Sequence, residues 1–544
     1  MTINEAIQIM INEIISILAE NKPTIYLFGS VALGDFRLGW SDIDIVVLTE
    51  REITDAQANV LVGLRQALLE RYTDNPYFRL FEGGMRSASA FLSDTNERTV
   101  YWGTSGQRII DTWKMDSFGM FELLDSGILL YGDDIRAEMI RPTYAQMRDD
   151  ITRHVQTARK HGDSVGWLLD MARGIYTLRT GKVIAKTAAG EWALENGVCP
   201  DDDAMKKAVA IRKEPQNYAR EYKIINREMV ERFADVVDSE FTETIHLFAE
   251  SELQHMDIAY SALSLLRNKD GVFVWRVETD TNNYVMKCFD KAEHRREITN
   301  YQVLIALEIP TLKVIAHTDF SIVLEDVEQS KYRLGVAEDM NSPQKMALVG
   351  AWYKTLHENG RKYANEHPLY DECDCLTLEN LSIIKEKTGT GDLYVWAVIE
   401  ENFDALTSAA IKLPRTLTYN DFYYTNLAVA RDNLSALVFD YNLLGKGYVY
   451  ADIRNVCSSL GEEAKAAFLS AYGEFNEQEK DVDDVISLFV TLHFACELKN
   501  FPTWALESLE RVKDGRLLVA VNKSLKVQAP IPARESESES KAGD

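Results

Sequence analysis

The sequence predicts an α/β multidomain protein, in which an α/β domain is followed by a helical bundle and then by an α+β unit. The chain has 544 residues, which is more than one hydrophobic core usually spans. From about residue 151 the apolar spacing becomes helical, as in Val165–Arg179, and from residue 272 alternating apolar residues predict strands. We therefore expect domains at residues 1–145, 146–258 and 259–525, and a disordered tail at 526–544.

The composition indicates an acidic globular protein, with 46% hydrophobic residues and a formal net charge of −26. Such a charge opposes nucleic-acid binding but suits a polycationic small substrate. The six cysteines are scattered, which predicts reduced thiols in the cytoplasm. No apolar run approaches the ~20 residues of a membrane span. We expect a small-molecule substrate and no nucleic-acid, membrane or protein partner.

The first candidate site lies in Gly29–Leu48, GSVALGDFRLGWSDIDIVVL. Alternation along an apolar strand would place Asp42 and Asp44 on the same face. Neighbouring carboxylates repel each other unless a cation lies between them, and oxygen ligands of this kind suit Mg²⁺. The backbone of Gly29 and Ser30 can approach a triphosphate closely. This segment therefore predicts a site for Mg²⁺ and a nucleotide.

Glu82 is the candidate third carboxylate of this site. The segment Tyr77–Glu82 is typical of a strand that ends just before Gly83 and Gly84. A metal-assisted nucleotidyl transfer needs a third carboxylate, either as a metal ligand or as the base for the attacking hydroxyl. The position of Glu82 favours this role.

Together with the helical segment Gly162–Glu195, these motifs resemble the aminoglycoside nucleotidyltransferases of the streptomycin 3''/spectinomycin 9-adenylyltransferase type. The resemblance covers about residues 20–250. It implies that Asp42 and Asp44 bind Mg²⁺ and that Glu82 is the general base. It also implies that the helical domain closes a cleft around ATP and the drug.

The resemblance implies three further ligands in the helical block. Arg173 and Lys186 would hold the ATP phosphates, and Asp163 would contact the drug. Family members that accept streptomycin carry a Trp and an Asp shortly before this last position, where the present chain has His154 and Arg159. This departure favours spectinomycin over streptomycin as the substrate.

A second candidate site begins with two predicted strands, Val272–Val277 and Asn283–Phe289. Lys287 lies on the second of these strands, and Glu297 lies on the charged helix that follows. An ion pair between a strand lysine and a helix glutamate orients the α- and β-phosphates of ATP in kinases. We therefore expect Lys287 and Glu297 to bind a nucleotide.

The remaining polar groups of this site lie in LTYNDFYYTNLAV and ALVFDYNLLGKG. Asp421, Asn426 and Asp440 have the order and spacing of a kinase catalytic loop and metal-binding aspartate. Asp421 would accept the proton of the substrate hydroxyl, and Asn426 and Asp440 would hold Mg²⁺. Asp452 is predicted to be buried and to brace the catalytic loop.

Over about residues 260–500, these motifs resemble the aminoglycoside phosphotransferase and choline-kinase-like family. The chain departs from the family pattern at Tyr419, where the family usually has a histidine. The resemblance implies a two-lobed, protein-kinase-like (α+β) fold and a second ATP-dependent activity.

The two resemblances imply an antibiotic-modifying transferase that uses ATP and Mg²⁺. Its lead activity would be adenylylation of an aminocyclitol or aminoglycoside hydroxyl, and its C-terminal half would be a phosphotransferase. Two alternatives stay open. The kinase-like half could be a non-catalytic binding or regulatory module, or the N-terminal half could AMPylate a protein in a toxin–antitoxin-like system.

Overall fold

The computed structural model describes residues 1–103, 106–162, 164–218 and 227–528. The chain forms two compact units, Met1–Ile258 and Ala259–Asp544. From residue 529 onward, the predicted tail lies outside the described residues.

Within the described residues, the first unit contains a sheet of six strands. They are β1 (Pro23–Phe28), β2 (Ile43–Thr49), β3 (Phe81–Ser87), β4 (Thr99–Gly103), β5 (Gly106–Ile110) and β6 (Ile128–Tyr131). Their order is β5-β4-β3-β2-β1-β6. Strands β2 and β3 are parallel, and the other neighbours are antiparallel. The central strand β2 is buried along almost its whole length, so its apolar sequence fits a position inside the sheet.

Helices pack against this sheet because each presents an apolar face to it. They are α1 (Ile3–Leu18), α2 (Gly29–Ala32), α3 (Asp55–Arg71), α4 (Ala88–Leu92) and α5 (Ser117–Ser126). Helix α1 begins with a capping box between Thr2 and Glu5, and it buries Met10 and Ile14, which lie one turn apart. Helix α1, helix α3 and one face of the sheet share a hydrophobic core.

The rest of the first unit is helical. Its helices are α6 (Tyr144–His161), α7 (Gly166–Thr180), α8 (Lys186–Glu195), α9 (Asp202–Lys213), α10 (Arg227–Glu243) and α11 (Ile245–His255). Helix α7 lies at the centre of this block, and its residues Leu168, Leu169 and Ala172 are buried in a second core. The predicted change to helical structure is therefore found, beginning at Tyr144.

Within the described residues, the second unit begins with an antiparallel five-stranded sheet and one helix. They are β7 (Ala262–Lys269), β8 (Val272–Glu278), β9 (Asn283–Phe289), α12 (Ala292–Ala306), β10 (Val314–His317) and β11 (Ser321–Glu325). The strand order is β10-β11-β9-β8-β7. The sequence predicted β8 and β9 but not β7, which is an exposed edge strand without regular alternation. Asp270 and Gly271, with φ angles of 54° and 84°, form the tight turn between β7 and β8.

The remainder of the second unit is mainly helical, with short strands. The strands are β12 (Tyr332–Leu334), β13 (Thr416–Thr418), β14 (Leu427–Ala430), β15 (Ala436–Val438) and β16 (Gly445–Gly447). The helices are α13 (Pro343–Glu366), α14 (Leu378–Thr388), α15 (Tyr394–Glu401), α16 (Phe403–Lys412), α17 (Val449–Cys457), α18 (Glu462–Tyr472), α19 (Gln478–Glu497), α20 (Leu506–Lys513) and α21 (Arg516–Gln528). Helices α13 and α18 pack closely because Gly350 leaves room for the carbonyl of Phe468.

These elements confirm the predicted α/β multidomain class. None of the helices in the described part of the chain has the length and hydropathy that crossing a lipid bilayer requires.

Candidate active sites

Strand pairing brings the first three carboxylates together. Asp44 on β2 is the register partner of Glu82 on the parallel strand β3, and Asp42 lies directly before β2. All three line a cavity of about 390 Å³ together with Gly29 and Ser30. The sheet therefore brings together the residues that the sequence analysis proposed to bind Mg²⁺, to act as the base and to contact the nucleotide.

The structure corrects both ends of the predicted strand Tyr77–Glu82, because Phe78–Leu80 forms a short 3-10 helix and β3 begins only at Phe81. Glu82 is the second residue of β3, which continues through Gly83 and Gly84. A Cβ atom at Gly83 would lie 1.7 Å from the carbonyl oxygen of Ile45, and one at Gly84 would lie 2.6 Å from the Trp113 ring. The two glycines therefore allow close packing inside the strand and do not terminate it.

The first residue of α2, Gly29, lies directly against Asp44. Gly29 has a φ angle of +67°, and a Cβ atom there would lie 2.1 Å from Oδ2 of Asp44. The hydroxyl of Ser30 donates to the carbonyl oxygen of Asp42 at 3.2 Å. Only glycine allows both this backbone conformation and this approach.

The crowding of carboxylates raises the pKa of Asp44 to about 8, first through burial and then through the charges of Glu122, Asp42 and Glu82. A bound cation would relieve this repulsion, and the oxygen donors fit Mg²⁺. Among the described residues, no three or more His, Cys, Asp or Glu side chains are grouped so that they could hold a metal ion by themselves. Mg²⁺ would therefore need further ligands from phosphate and water.

The two predicted phosphate ligands line the same cavity. Arg173 on α7 lies 3.0 Å from Glu122 and 3.4 Å from Asp170. Lys186, the first residue of α8, lies 2.8 Å from Asp170. Sequence reasoning missed both carboxylates. Asp170 could have been found as the helical i−3 neighbour of Arg173, but no local pattern points to Glu122.

A buried network connects the helical block to the α/β domain beside Lys186. Asp35, which follows α2, accepts hydrogen bonds from the Thr187 hydroxyl at 2.7 Å and from Arg212 Nη2 on α9 at 2.9 Å. Arg212 and Asp35 are nearly inaccessible. Sequence analysis did not find this network, which fixes the start of α8 and with it the position of Lys186.

The predicted drug ligand Asp163 lies outside the described residues. The His154 ring stacks on Phe118, which lines the cavity. Arg159 forms ion pairs with Asp235 and Asp238 on α10. The side chain of Arg159 is thus engaged within the helical block.

In the second unit, Lys287 on β9 links two carboxylates. Its Nζ lies 2.7 Å from Glu297 on α12 and 3.2 Å from Asp440. Burial alone would lower the pKa of Lys287, but Glu297 and Asp440 outweigh it and raise this pKa well above its ordinary value. The predicted strand–helix ion pair is therefore present, and the predicted metal-binding aspartate joins it.

Asp421 and Asn426 also lie together. The amide of Asn426 donates to Oδ2 of Asp421 at 3.0 Å and to its carbonyl oxygen at 3.1 Å. Burial, followed by the charge of Asp440, raises the pKa of Asp421 to about 6. Asn420 and Asp440 have left-handed φ angles of 67° and 69°, so the backbone is tightly constrained on both sides of the site.

Asp452 on α17 is fully buried, and it binds the backbone of the predicted catalytic loop. It accepts hydrogen bonds from the N–H groups of Tyr419 at 2.8 Å and Asn420 at 2.9 Å, and His357 Nε2 lies 3.1 Å away. The hydroxyl of Tyr419 donates to the carbonyl oxygen of Phe439, next to Asp440, at 2.5 Å. Tyr419 therefore connects the loop that contains Asp421 to the segment that contains Asp440.

Three family models match the chain. Residues 11–78 match the nucleotidyltransferase domain, residues 141–240 the C-terminal domain of aminoglycoside adenylyltransferase, and residues 270–485 the phosphotransferase enzyme family. The chain is a transferase. It joins a nucleotidyltransferase of the aminoglycoside adenylyltransferase type to a phosphotransferase-family domain, which confirms the two resemblances. The transferase matches none of the curated proteins.

Several solved structures resemble part of this transferase. One is a spectinomycin adenyltransferase from Enterococcus faecialis with ATP and spectinomycin, with 16% identity and a TM-score of 0.32 over 44% of this chain and 100% of that chain. Another is a spectinomycin phosphotransferase in complex with ADP and spectinomycin, with 13% identity and a TM-score of 0.33 over 52% and 98%. A third is a choline kinase from Streptococcus pneumoniae, with 12% identity and a TM-score of 0.38 over 50% and 98%.

Proposed function

We propose that the first unit transfers AMP from ATP to a hydroxyl of an aminocyclitol or aminoglycoside antibiotic, with spectinomycin favoured over streptomycin. The observation that carries the proposal is the register pairing of Asp44 with Glu82, beside Asp42, in one cavity with Arg173 and Lys186. In this proposal residues 1–145 supply the carboxylates, and residues 146–258 supply the cations that face them.

Each residue has a separate role in the transfer. Asp42 and Asp44 hold Mg²⁺, which when bound neutralises phosphate charge and helps to expose the α-phosphorus to attack. Glu82 accepts the proton of the attacking drug hydroxyl. Arg173 and Lys186 bind the phosphates and stabilise the charge of the departing pyrophosphate. Asp163 contacts the cationic drug.

We propose that the second unit, residues 259–525, transfers the γ-phosphate of ATP to an alcohol. Lys287, oriented by Glu297, holds the α- and β-phosphates, while Asn426 and Asp440 hold Mg²⁺. Asp421 accepts the proton of the acceptor hydroxyl. The hydrogen bond between Asn426 and Asp421 and the ion pairs of Lys287 support an active domain over a non-catalytic module. Because both reactions consume ATP, we place the protein in the cytoplasm.

The test uses the full chain with Mg²⁺, a panel of spectinomycin, streptomycin and kanamycin-type drugs, and ATP labelled at either the α- or the γ-phosphorus. We expect α-label on spectinomycin, and γ-label on a drug of the panel. Glu82→Gln should abolish α-label transfer and leave γ-label transfer unchanged, while Asp421→Asn should do the reverse. These two variants control for each other because each alters only one site.

Three results would contradict the proposal. Full α-label transfer by Glu82→Gln would remove Glu82 from the role of base. Absence of γ-label from every drug would favour a binding or regulatory role for the second unit. Label on protein in place of drug would favour AMPylation of a protein target.

A further inference from the structure

We propose that Glu122 is the counter-ion of Arg173 when no nucleotide is bound, and that a triphosphate must displace it. In the same arrangement, Asp170 is a positioning residue that keeps Arg173 and Lys186 side by side. This inference rests on the proposed function, because it takes ATP as the ligand of the first cavity.

The geometry of the ion pair supports the exchange. Arg173 Nη1 lies 3.0 Å from Oε1 of Glu122, and each side chain is only 10% exposed. Glu122 comes from α5 in the α/β domain, whereas Arg173 comes from α7 in the helical block. Both side chains line the cavity that contains Asp42 and Asp44. A phosphate that enters the cavity would therefore compete directly with Glu122 for the guanidinium group.

The charges around Glu122 make this competition costly for a nucleotide. The acidic groups that face it are Asp44, Asp116 and Asp170, and the cations are Arg173 and Lys186. Removing the partner of a buried ion leaves an uncompensated charge. When Arg173 turns to a phosphate, the carboxylate of Glu122 remains in the cavity as an added negative charge close to a polyanion. The same carboxylate should therefore weaken ATP binding.

Asp170 has a different geometry. It lies on the same helix as Arg173 and contacts both cations, Arg173 at 3.4 Å and Lys186 at 2.8 Å and 3.1 Å. A phosphate could bind the outer faces of the two cations without displacing Asp170. Its carboxylate would then restrain both side chains near the phosphates and reduce the conformational entropy lost on binding.

The two carboxylates therefore predict opposite effects on nucleotide affinity, which calorimetric titration with MgATP can measure. The full chain would carry Lys287→Met, so that the second unit contributes little to the signal. Glu122→Gln should lower the Kd for ATP by about five-fold, while Asp170→Asn should raise it by about five-fold. Glu122→Asp, which keeps the charge, should not reach the affinity of Glu122→Gln.

The Michaelis constant for ATP in α-label transfer gives a second readout. It should decrease in Glu122→Gln and increase in Asp170→Asn. Equal gains of affinity in Glu122→Gln and Asp170→Asn would indicate a general charge effect and overturn the positioning role of Asp170. An unchanged affinity in a folded Glu122→Gln protein would overturn the exchange and leave the proposed function standing. If the chain with an intact first site bound no ATP, both the inference and the proposed adenylylation would fail.

Discussion

The paired carboxylates of the first candidate site lie on neighbouring strands of a sheet, whereas Asp421 and Asp440 of the second lie in loops. In the first unit, Asp44 and Glu82 are neighbours because β2 and β3 pair in parallel. In the second unit, Asp421 and Asp440 lie in segments held by hydrogen bonds from Tyr419 and Asn420. Strand pairing fixes separations through the spacing of the backbone, while loops depend on a few side-chain contacts. The two sites should therefore be sensitive to different substitutions.

A site built on paired strands should be lost when the strands cannot pair. Gly83→Ala should disturb the pairing of β2 and β3 and have the largest effect of the variants proposed. Gly83 has a φ angle of +138°, and the new Cβ would lie 1.7 Å from the backbone oxygen of Ile45. We expect a loss of about 2–4 kcal/mol in the stability of the first unit and loss of AMP transfer. Thermal unfolding and α-label transfer measure the two effects.

The matched control is Gly63→Ala on α3, where a Cβ atom would meet nothing within 4 Å. Alanine at a helical position should stabilise the helix by up to about 1 kcal/mol relative to glycine. Normal AMP transfer by Gly83→Ala would contradict the dependence of this site on the strand pairing.

A loop-based site should respond to the loss of one hydrogen bond, and Tyr419→Phe removes such a bond. The hydroxyl of Tyr419 connects the loop that contains Asp421 to the carbonyl oxygen of Phe439, next to Asp440. We expect a roughly ten-fold lower kcat for γ-phosphate transfer, since about 1.4 kcal/mol of lost positioning corresponds to that factor. The KM for ATP should change less, because Lys287 and Glu297 remain in place.

Tyr353→Phe is the control for this prediction. The Tyr353 ring packs 6.4 Å from the ring of Tyr419, but its buried hydroxyl has no hydrogen-bond partner among the described residues. Removing that hydroxyl should leave kcat unchanged and the stability equal or slightly higher. An equal loss of kcat in both variants would show that the effect is not specific to the Tyr419 hydrogen bond.

The smallest expected effect concerns the stability of the second unit at low pH. Asp339 accepts hydrogen bonds from Arg333 at 2.7 Å and 2.8 Å, and also from Lys345. Burial raises the pKa of Asp339, but these hydrogen bonds outweigh it and hold the pKa well below its ordinary range. A carboxylate of this kind adds stability above its unfolded pKa of about 4 and loses it as the pH falls toward the folded-state pKa.

We therefore expect Asp339→Asn to lower the unfolding temperature near neutral pH. The difference from the unsubstituted protein should shrink as the pH falls below about 4. Thermal unfolding between neutral pH and pH 3 measures this, with Asp280→Asn on the exposed turn between β8 and β9 as the control. A temperature difference that stayed constant over this range would contradict a contribution from the charge of Asp339.

Local sequence patterns were enough to predict many of the candidate site residues and some of the strands. The Asp-x-Asp pattern located Asp42 and Asp44, although Asp42 lies directly before β2 and not within it. The alternating segments located β8 and β9. The position of Lys287 on its strand also anticipated the ion pair with Glu297, which the structure contains. The roles assigned to these residues stay predictions, as does that of Asp163. Glu82 was expected at the end of a strand but is the second residue of β3, because the sequence does not distinguish glycines that allow close packing from glycines that end a strand.

The sequence by itself predicted the α/β multidomain class, several of the helical and extended segments and most of the candidate catalytic groups, because periodicity and short motifs reflect the geometry of neighbouring residues. Only the tertiary structure decided the partners of those groups. Glu122 meets Arg173 across 51 positions, and Asp35 meets Arg212 across 177. Such contacts depend on how helices pack onto a sheet, and no local pattern of residues encodes them.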